Sequence, residues 1–597
     1  MILERNPRGE YQKRLSDRQL TVQKYESWNR QVAVARLLTA ILFVVAIGLS
    51  FWAKTIPRWS VVVPVLIFFV LVFVHERVSR GLRRATKAVK FYEDGIARID
   101  DAWIGRGQST EMFRDDSHLY AIDLDIFGKA SLFELLCTAR MRSGEETLAN
   151  WLTAPAAADE IVARQQGIDE LRNNVDLRED LASIGSDLRS SIHTDKIEKW
   201  GTAPVTLTSQ STRWLLPIPV AFVIYTFIPF FRTLSMHPLW PLAFAIVAAI
   251  GLYFRSRVKA AVEALDLPER ELKLLALLLE RIEREQFKSP KLVQLRTSLD
   301  TDGVPPSEQI GRFNRLVNTL NWYRNEFFAP FSLLLLWRTQ FAFALEKWRR
   351  RCGPAIGPWL KTVGEFEALC ALAGYAYERP DDPFPEIVHK GPVFDGTNLR
   401  HPLVPKTQCV PNTVRLGDGP VLLVVSGSNM SGKSTLLRTV GINAVLALAG
   451  APVRAERLRL SPLALGATLR IQDSLQAGTS RFYAEIQRIH HIMELTKGPL
   501  PVLFLLDEVL HGTNSHDRAV GAEAIVRGLI SRGAIGLVTT HDLALAQVAD
   551  ALTPRAANVH FEDEMVDGKM TFDYRMRNGV VHKSNALALM RAVGLDV

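Results

Sequence analysis

Cysteine is nearly absent from this sequence. Cys137, Cys352, Cys370 and Cys409 stand far apart in 597 residues, with no C-x-x-C pair. This excludes a thiolate zinc site and a disulfide framework, and fits a reducing cytoplasm. Internal repeats and low-complexity tracts are missing as well, which excludes a repeat array. A cleavable leader is not expected, because more than thirty mostly polar residues precede the first apolar segment and no small-residue cleavage pattern follows it. Acidic residues are outnumbered by basic ones, 63 against 72, leaving a formal net charge of +9. Such a surface attracts polyanions, either nucleic acid or anionic lipid headgroups, and charge alone does not choose between them. With 48% hydrophobic and 23% charged residues the chain is not disordered, and its length implies about three to five domains.

Long hydrophobic runs are present. Four charge-free segments come in two pairs: "LLTAILFVVAIGLSFWA" and "SVVVPVLIFFVLVFV", then "WLLPIPVAFVIYTFIPFF" and "PLWPLAFAIVAAIGLYF". Each approaches the ~17–20 residues a helix needs to cross ~30 Å of hydrocarbon, and Trp or Tyr near the ends suits an aromatic belt. Four transmembrane helices in two hairpins are therefore expected. Arg30 and Arg36 precede the first hairpin, Arg77, Arg80, Arg83, Arg84, Lys87 and Lys90 follow it, and Arg255, Arg257 and Lys259 follow the second. The positive-inside tendency then puts both termini and every large segment on the cytoplasmic face of an inner membrane, as a multi-pass protein.

The remaining text divides accordingly. Residues 1–35 form an N-terminal segment, 36–75 the first hairpin, 76–115 a basic juxtamembrane segment, 116–206 a helical core, 207–255 the second hairpin and 256–378 more of the helical core. The helical assignments rest on apolar residues recurring at three- and four-residue steps. "LLLLW", Leu333 to Trp337, is too short to span and reads as a packed helix face. "RPDDPFPE", Arg379 to Glu386, reads as a linker into 379–597, where strands alternate with helices as in an α/β nucleotide-binding domain.

That last region carries the chemistry. Gly427-Ser428-Asn429-Met430-Ser431-Gly432-Lys433-Ser434 fits G-x-x-x-x-G-K-[ST], between a predicted strand and a predicted helix beginning at Thr435. Glycines let backbone N–H groups turn around phosphate oxygens, Lys433 suits the β/γ-phosphates of ATP, and the Ser434 hydroxyl suits Mg²⁺. A second strand, "PVLFLLDE", ends in Asp507, placed to hold Mg²⁺, and Glu508, placed to polarise the attacking water. A third, "AIGLVTTHD", delivers His541, where an imidazole can sense the γ-phosphate.

Together "SGSNMSGKSTLLRTVG", "LLDEVLHGTNSHDR", "TTHD" and "GTSRFYAE" resemble the ATPase domain of the MutS mismatch-repair family, an ABC-type ATPase. "RHPLV", "NVHFEDE", Lys583-Ser584 and the helical text from Leu132 extend the resemblance from about Asp116 to the end, interrupted by the second hairpin. It implies a P-loop ABC-type α/β domain beside an all-α core and lever domain, a homodimer through the ATPase domains, Ser480 reaching the partner's γ-phosphate in trans, and Val410 packing on adenine. The sequence departs from the family where its mismatch-reading and connector domains would stand, because the first hairpin occupies that region. The Phe91-Tyr92-Glu93 triplet lies in a basic stretch and reads as a coincidental likeness to the mismatch motif. The extended C-terminal dimerisation segment is also not expected.

The sequence therefore points to a membrane-anchored, Mg²⁺-dependent ATP hydrolase with membrane lipids and DNA as candidate partners. Family resemblance implies mismatched-DNA binding and repair, whereas the residues support the ATPase better than mismatch reading. Two alternatives stand beside it: an ABC transporter half-molecule and a membrane scaffold gated by ATP.

Overall fold

The computed structural model describes residues 6–53, 55–107, 111–184, 194–207, 214–233, 237–300, 303–326, 328–470, 481–510, 513–541, 543–566 and 569–580. Two very long helices lead: α1, Pro7–Ile47, and α2, Val62–Ile99. Their apolar halves meet in a turn and leave side chains such as Leu42, Val44, Phe69 and Phe73 exposed. Their polar halves pair as well. Tyr11 and Tyr25 of α1 cover Gly95 and Gly81 of α2, where a Cβ would come within 2.5 and 2.6 Å of the rings. Tyr11 also packs beside Phe91 and Tyr92, which places the Phe-Tyr-Glu triplet in this seam.

The helical core that follows includes α3, Arg142–Thr153, and α4, Val175–Ser183. The polar half of the hairpin docks on α4: Arg18 pairs with Glu179 at 2.8 Å, Arg84 with Asp180 at 2.6 Å, and the Tyr92 hydroxyl donates to Glu179. A second hairpin, α5 Pro217–Thr233 and α6 Trp240–Glu263, leads on toward α7, Ala329–Leu334, and α8, Trp337–Cys352. Helix α9, Ile356–Glu378, is buried almost throughout and forms the spine of the core. Its small residues allow close approach, since a Cβ on Gly364 would lie 2.7 Å from the Ser143 carbonyl of α3.

The expectation of four spans needs correction. Among the described residues three helices are long and apolar enough to cross a membrane: Pro7–Trp52, Trp59–Ile99 and Trp240–Glu263. The fourth segment yields the shorter apolar helix Pro217–Phe230. At 1.5 Å per residue this apolar part of α5 covers only about 21 Å of the ~30 Å required.

The C-terminal region holds two sheets. The smaller has the order β1-β5-β2-β3, where β1 is Glu386–Ile387, β2 Phe394–Leu399, β3 Asn412–Leu416 and β5 Arg457–Leu460. The larger has six strands in the order β10-β9-β4-β8-β7-β6. These are β4 Leu422–Ser426, β6 Ala464–Thr468, β7 Val502–Leu506, β8 Ile535–Thr540, β9 Ala556–Val566 and β10 Lys569–Asn578. All neighbours run parallel except β9 and β10. Every side chain of β4, β7 and β8 is buried, as their unbroken aliphatic text requires for strands covered on both faces. Helix α10, Lys433–Ala449, follows β4, and α11, Arg481–Leu495, precedes β7.

Candidate functional site

Strand order assembles the site. Because β8 lies between β4 and β7, the residue leaving β8 falls between those leaving the other two. The β4 loop turns through Gly427 at φ 147° and Gly432 at φ 106°. A Cβ on Gly427 would come within 2.9 Å of Ser431 Oγ and 3.0 Å of the Phe561 carbonyl, so the first turn admits only glycine. Met430, with φ 67°, projects outward and is 84% exposed, and Asn429 is exposed beside it.

Lys433 opens α10 and is buried. Its ammonium donates to the carbonyls of Gly427 at 2.9 Å and Ser428 at 2.8 Å. Burial pulls its pKa below the ordinary lysine value, opposed by the negative charges of Glu508 and Asp507. His541 Nε2 lies 3.4 Å from that ammonium and 2.6 Å from Glu508 Oε1. The shorter contact decides the tautomer: a proton on Nε2 donates to the carboxylate, and the ammonium is then a neighbouring charge rather than a donor to the ring. Lys433, His541 and Glu508 thus form one line across three adjacent strands.

Asp507 and Glu508 are held by β8. The Thr539 hydroxyl donates to the Asp507 carboxylate and accepts from the Glu508 backbone N–H at 2.9 Å, while the Asp507 N–H donates to the Thr468 carbonyl at 3.0 Å. Glu508 sits at φ 49°, a left-handed conformation that costs a non-glycine residue on the order of 1–3 kcal/mol.

The loop fits a phosphate chain. Among the described residues the Ser428 and Ser431 hydroxyls are buried without a hydrogen-bond partner, the N-terminus of α10 carries positive potential, and the Lys433 ammonium lies against the loop carbonyls. Ser434 and Thr435 fall in the first turn of α10, half-buried and exposed respectively. Ser434 and Asp507 supply the hard oxygen donors that Mg²⁺ prefers.

Two residues were missed by sequence reasoning. Thr539 is one; its only signal is the hydroxyl pair before His541. Tyr574 is the other. It lies at φ 54° within a register shift of the β9–β10 ladder, and its ring is 3.2 Å from where a Cβ of Gly432 would stand. Asn412, at the start of β3, ties this strand down by donating to the Tyr574 carbonyl at 3.0 Å and accepting from the Met576 N–H at 2.7 Å. Val410 is half-buried two residues before Asn412, on the same edge. A partly exposed aromatic ring beside a phosphate loop offers a stacking platform for a base. Ser480, Gly512, Lys583 and Ser584 lie outside the described residues.

Comparison with known proteins agrees with this geometry. Residues 423–596 match the family described as MutS domain V. Over 240 residues the chain is 33% identical to the DNA mismatch repair protein MutS of Natronomonas pharaonis, covering 39% of this chain and 27% of that protein. The Endonuclease MutS2 of Thermomicrobium roseum is 35% identical over 199 residues, 33% of this chain and 24% of that protein. MutS of Bacillus subtilis is 31% identical over 243 residues, 39% of this chain and 27% of that protein. The matched stretch therefore spans about a quarter of the length of these relatives.

Proposed function

We propose, from the premise that residues 423–596 belong to the MutS domain V family, that this chain is a membrane-anchored ATP hydrolase whose ATPase domains pair as a nucleotide-switched homodimer. The observation that carries the reading is the Lys433–His541–Glu508 line beside Asp507 at the edge of the sheet. Lys433 and the loop N–H groups bind the phosphates. Ser434 and Asp507 would hold a Mg²⁺ ion, which would supply positive charge to the phosphate oxygens. Glu508 accepts a proton from the attacking water as its oxygen bonds to the γ-phosphorus, releasing ADP and phosphate. His541 fixes the Glu508 carboxylate, and Ser480 of a second copy completes the site.

Purified protein should hydrolyse ATP with Mg²⁺. Glu508→Ala should bind ATP without cleaving it, and Lys433→Ala should weaken binding itself; undiminished turnover in Glu508→Ala would sink the assignment. The three long apolar helices support membrane insertion, and washing membranes at high pH should leave the chain in the pellet. Cytoplasmic placement of both termini further requires α5, with its flanking residues, to complete a second hairpin with α6, and reporter fusions at the two ends should then both score cytoplasmic. The alternative of a transporter half-molecule gains no support from a match to MutS domain V.

The relatives' names extend the proposal to DNA. Binding is expected to be electrostatic and indifferent to mismatches, because Phe91 is packed against Tyr11 and Tyr92 and the net charge is +9. Log affinity should fall against log salt by about 0.9 for each neutralised phosphate. In competition between matched and mismatched duplexes, a preference of about tenfold, ~1.4 kcal/mol, would refute the indifference.

A further inference from the structure

Helix α6 carries apolar side chains as far as Phe254 and then turns basic at Arg255, Arg257 and Lys259. At that boundary α7 and the start of α8 lean against it and enclose a cavity of about 660 Å³, within the ~300–1,000 Å³ typical of ligand pockets. Its lining changes character along α6. Phe244, Val247 and Leu252 face it from the apolar stretch, and Leu333 and Leu336 from the opposite side. Arg255 and Lys259 line it further along α6, and Arg338 lines it from the start of α8.

This charge is only partly compensated. Glu263 also lines the cavity and lies 3.7 Å from Lys259, both well exposed. Arg255 makes no ion pair among the described residues, and Arg338 Nε is buried without a hydrogen-bond partner, its guanidinium 4.7 Å from the Tyr323 ring centre. Part of its apolar lining stands open at the surface. Leu252 and Leu333 are 66% and 63% exposed, and Phe331 on the adjoining turn is 58% exposed. The "LLLLW" stretch is therefore not wholly a packed face: Leu336 is buried, whereas Leu333 stands out.

We propose that the cavity between α6, α7 and α8 binds one anionic phospholipid, its acyl chain along Phe244, Leu252 and Leu333 and its phosphate at Arg255 and Arg338. An apolar trough lined also by unpaired arginines, on a helix long enough to span, complements an amphiphile with one negative head. The proposal rests on the membrane reading. That reading stands or falls on the alkaline wash, a measurement separate from the one below.

The test uses the full chain in a neutral detergent and follows its thermal unfolding midpoint with phosphatidylglycerol, phosphatidylcholine or inorganic phosphate added. Phosphatidylglycerol should raise the midpoint by several degrees and saturate near one lipid per chain, while phosphatidylcholine and phosphate leave it in place. Arg255→Gln combined with Arg338→Gln should lose the shift. Gly251→Leu provides a second variant that leaves the charges alone, because a Cβ there meets only Leu336 Cδ2, at 3.7 Å, and the added side chain fills the cavity. It should lose the shift too. An equal shift with phosphatidylcholine, a shift retained in both variants, or full reproduction by phosphate alone as a free-anion site would each overturn the proposal. Retention in the alkaline pellet combined with no phosphatidylglycerol response would remove the lipid site and leave the membrane reading intact.

Discussion

Thr539 shows how much a single hydroxyl can organise. It bonds the Asp507 carboxylate with its proton and the Glu508 backbone with its lone pair, so Thr539→Val removes both without changing shape. Hydrogen bonds to charged groups are worth about 1.5–3 kcal/mol; kcat should therefore fall by roughly 10- to 100-fold while ATP affinity changes little, and a loss confined to affinity would contradict this role. Glu367, far from the site, gives a pH signature. Burial between α9 and the Arg140–Met141 turn pushes its carboxyl from 4.5 up to about 7, against the pull of two backbone N–H groups. The folded state then holds the proton more tightly than the unfolded chain does. This contribution to stability is complete below about 4.5 and is lost as pH rises through about 7. The unfolding midpoint should decline between those values, and Glu367→Gln should flatten the decline; an unchanged slope would remove Glu367 as its source. The phosphate loop, Asp507, Glu508 and His541 were legible in the sequence because each ends a buried strand whose apolar run announces it. Thr539 and Tyr574 were not, since their roles arise from β8 lying beside β7 and from β10 folding back toward the loop.

At the scale of elements the long hairpin is the least legible part. Its apolar halves stand out in the text, but the polar halves read as separate segments because their partners lie far along the chain, 50 residues away for Asn29 and Ser79 and 92 for Arg8 and Asp100. What joins them is the pairing of two tyrosines with two glycines, each pair fourteen residues apart and so about four turns. Gly95→Val should force Tyr11 from its seat and destabilise the chain by about 1–3 kcal/mol, as overpacking does. Thermal unfolding would measure the loss, and limited proteolysis should begin to cut within Pro7–Arg30. An unperturbed midpoint would mean that the helices part at no cost. Helix α5 teaches the converse lesson: composition marked an apolar helix correctly, while its apolar part, Pro217–Phe230, falls short of a span.

Across the whole molecule, short ionic links tie the three parts together. Arg98 at the end of α2 grips Glu378 at the end of α9 with two bonds of 2.6 and 2.7 Å. Next to it, Asp101 accepts from Arg379 at 3.3 Å and from the Lys406 N–H at 3.0 Å. On the other side, Asp123 of the helical core accepts from the Leu469 and Arg470 N–H groups and pairs with Arg488 of α11 at 2.9 Å. Arg98→Met should strand the Glu378 charge and cost about 3–5 kcal/mol, whereas Arg98→Met with Glu378→Leu should recover most of it. Equal losses in the single and double variants would show that packing, not charge pairing, holds that joint. The hairpin has one more consequence. Were its apolar half seated in a bilayer as proposed, the stretch Pro7–Arg30 would stand clear of the hydrocarbon by about 36 Å at 1.5 Å per residue, and its docking on α4 would carry the helical core with it. Copies in one membrane would then carry their nucleotide sites at a common height and drift in a plane, so that encounter becomes a two-dimensional search at high local concentration.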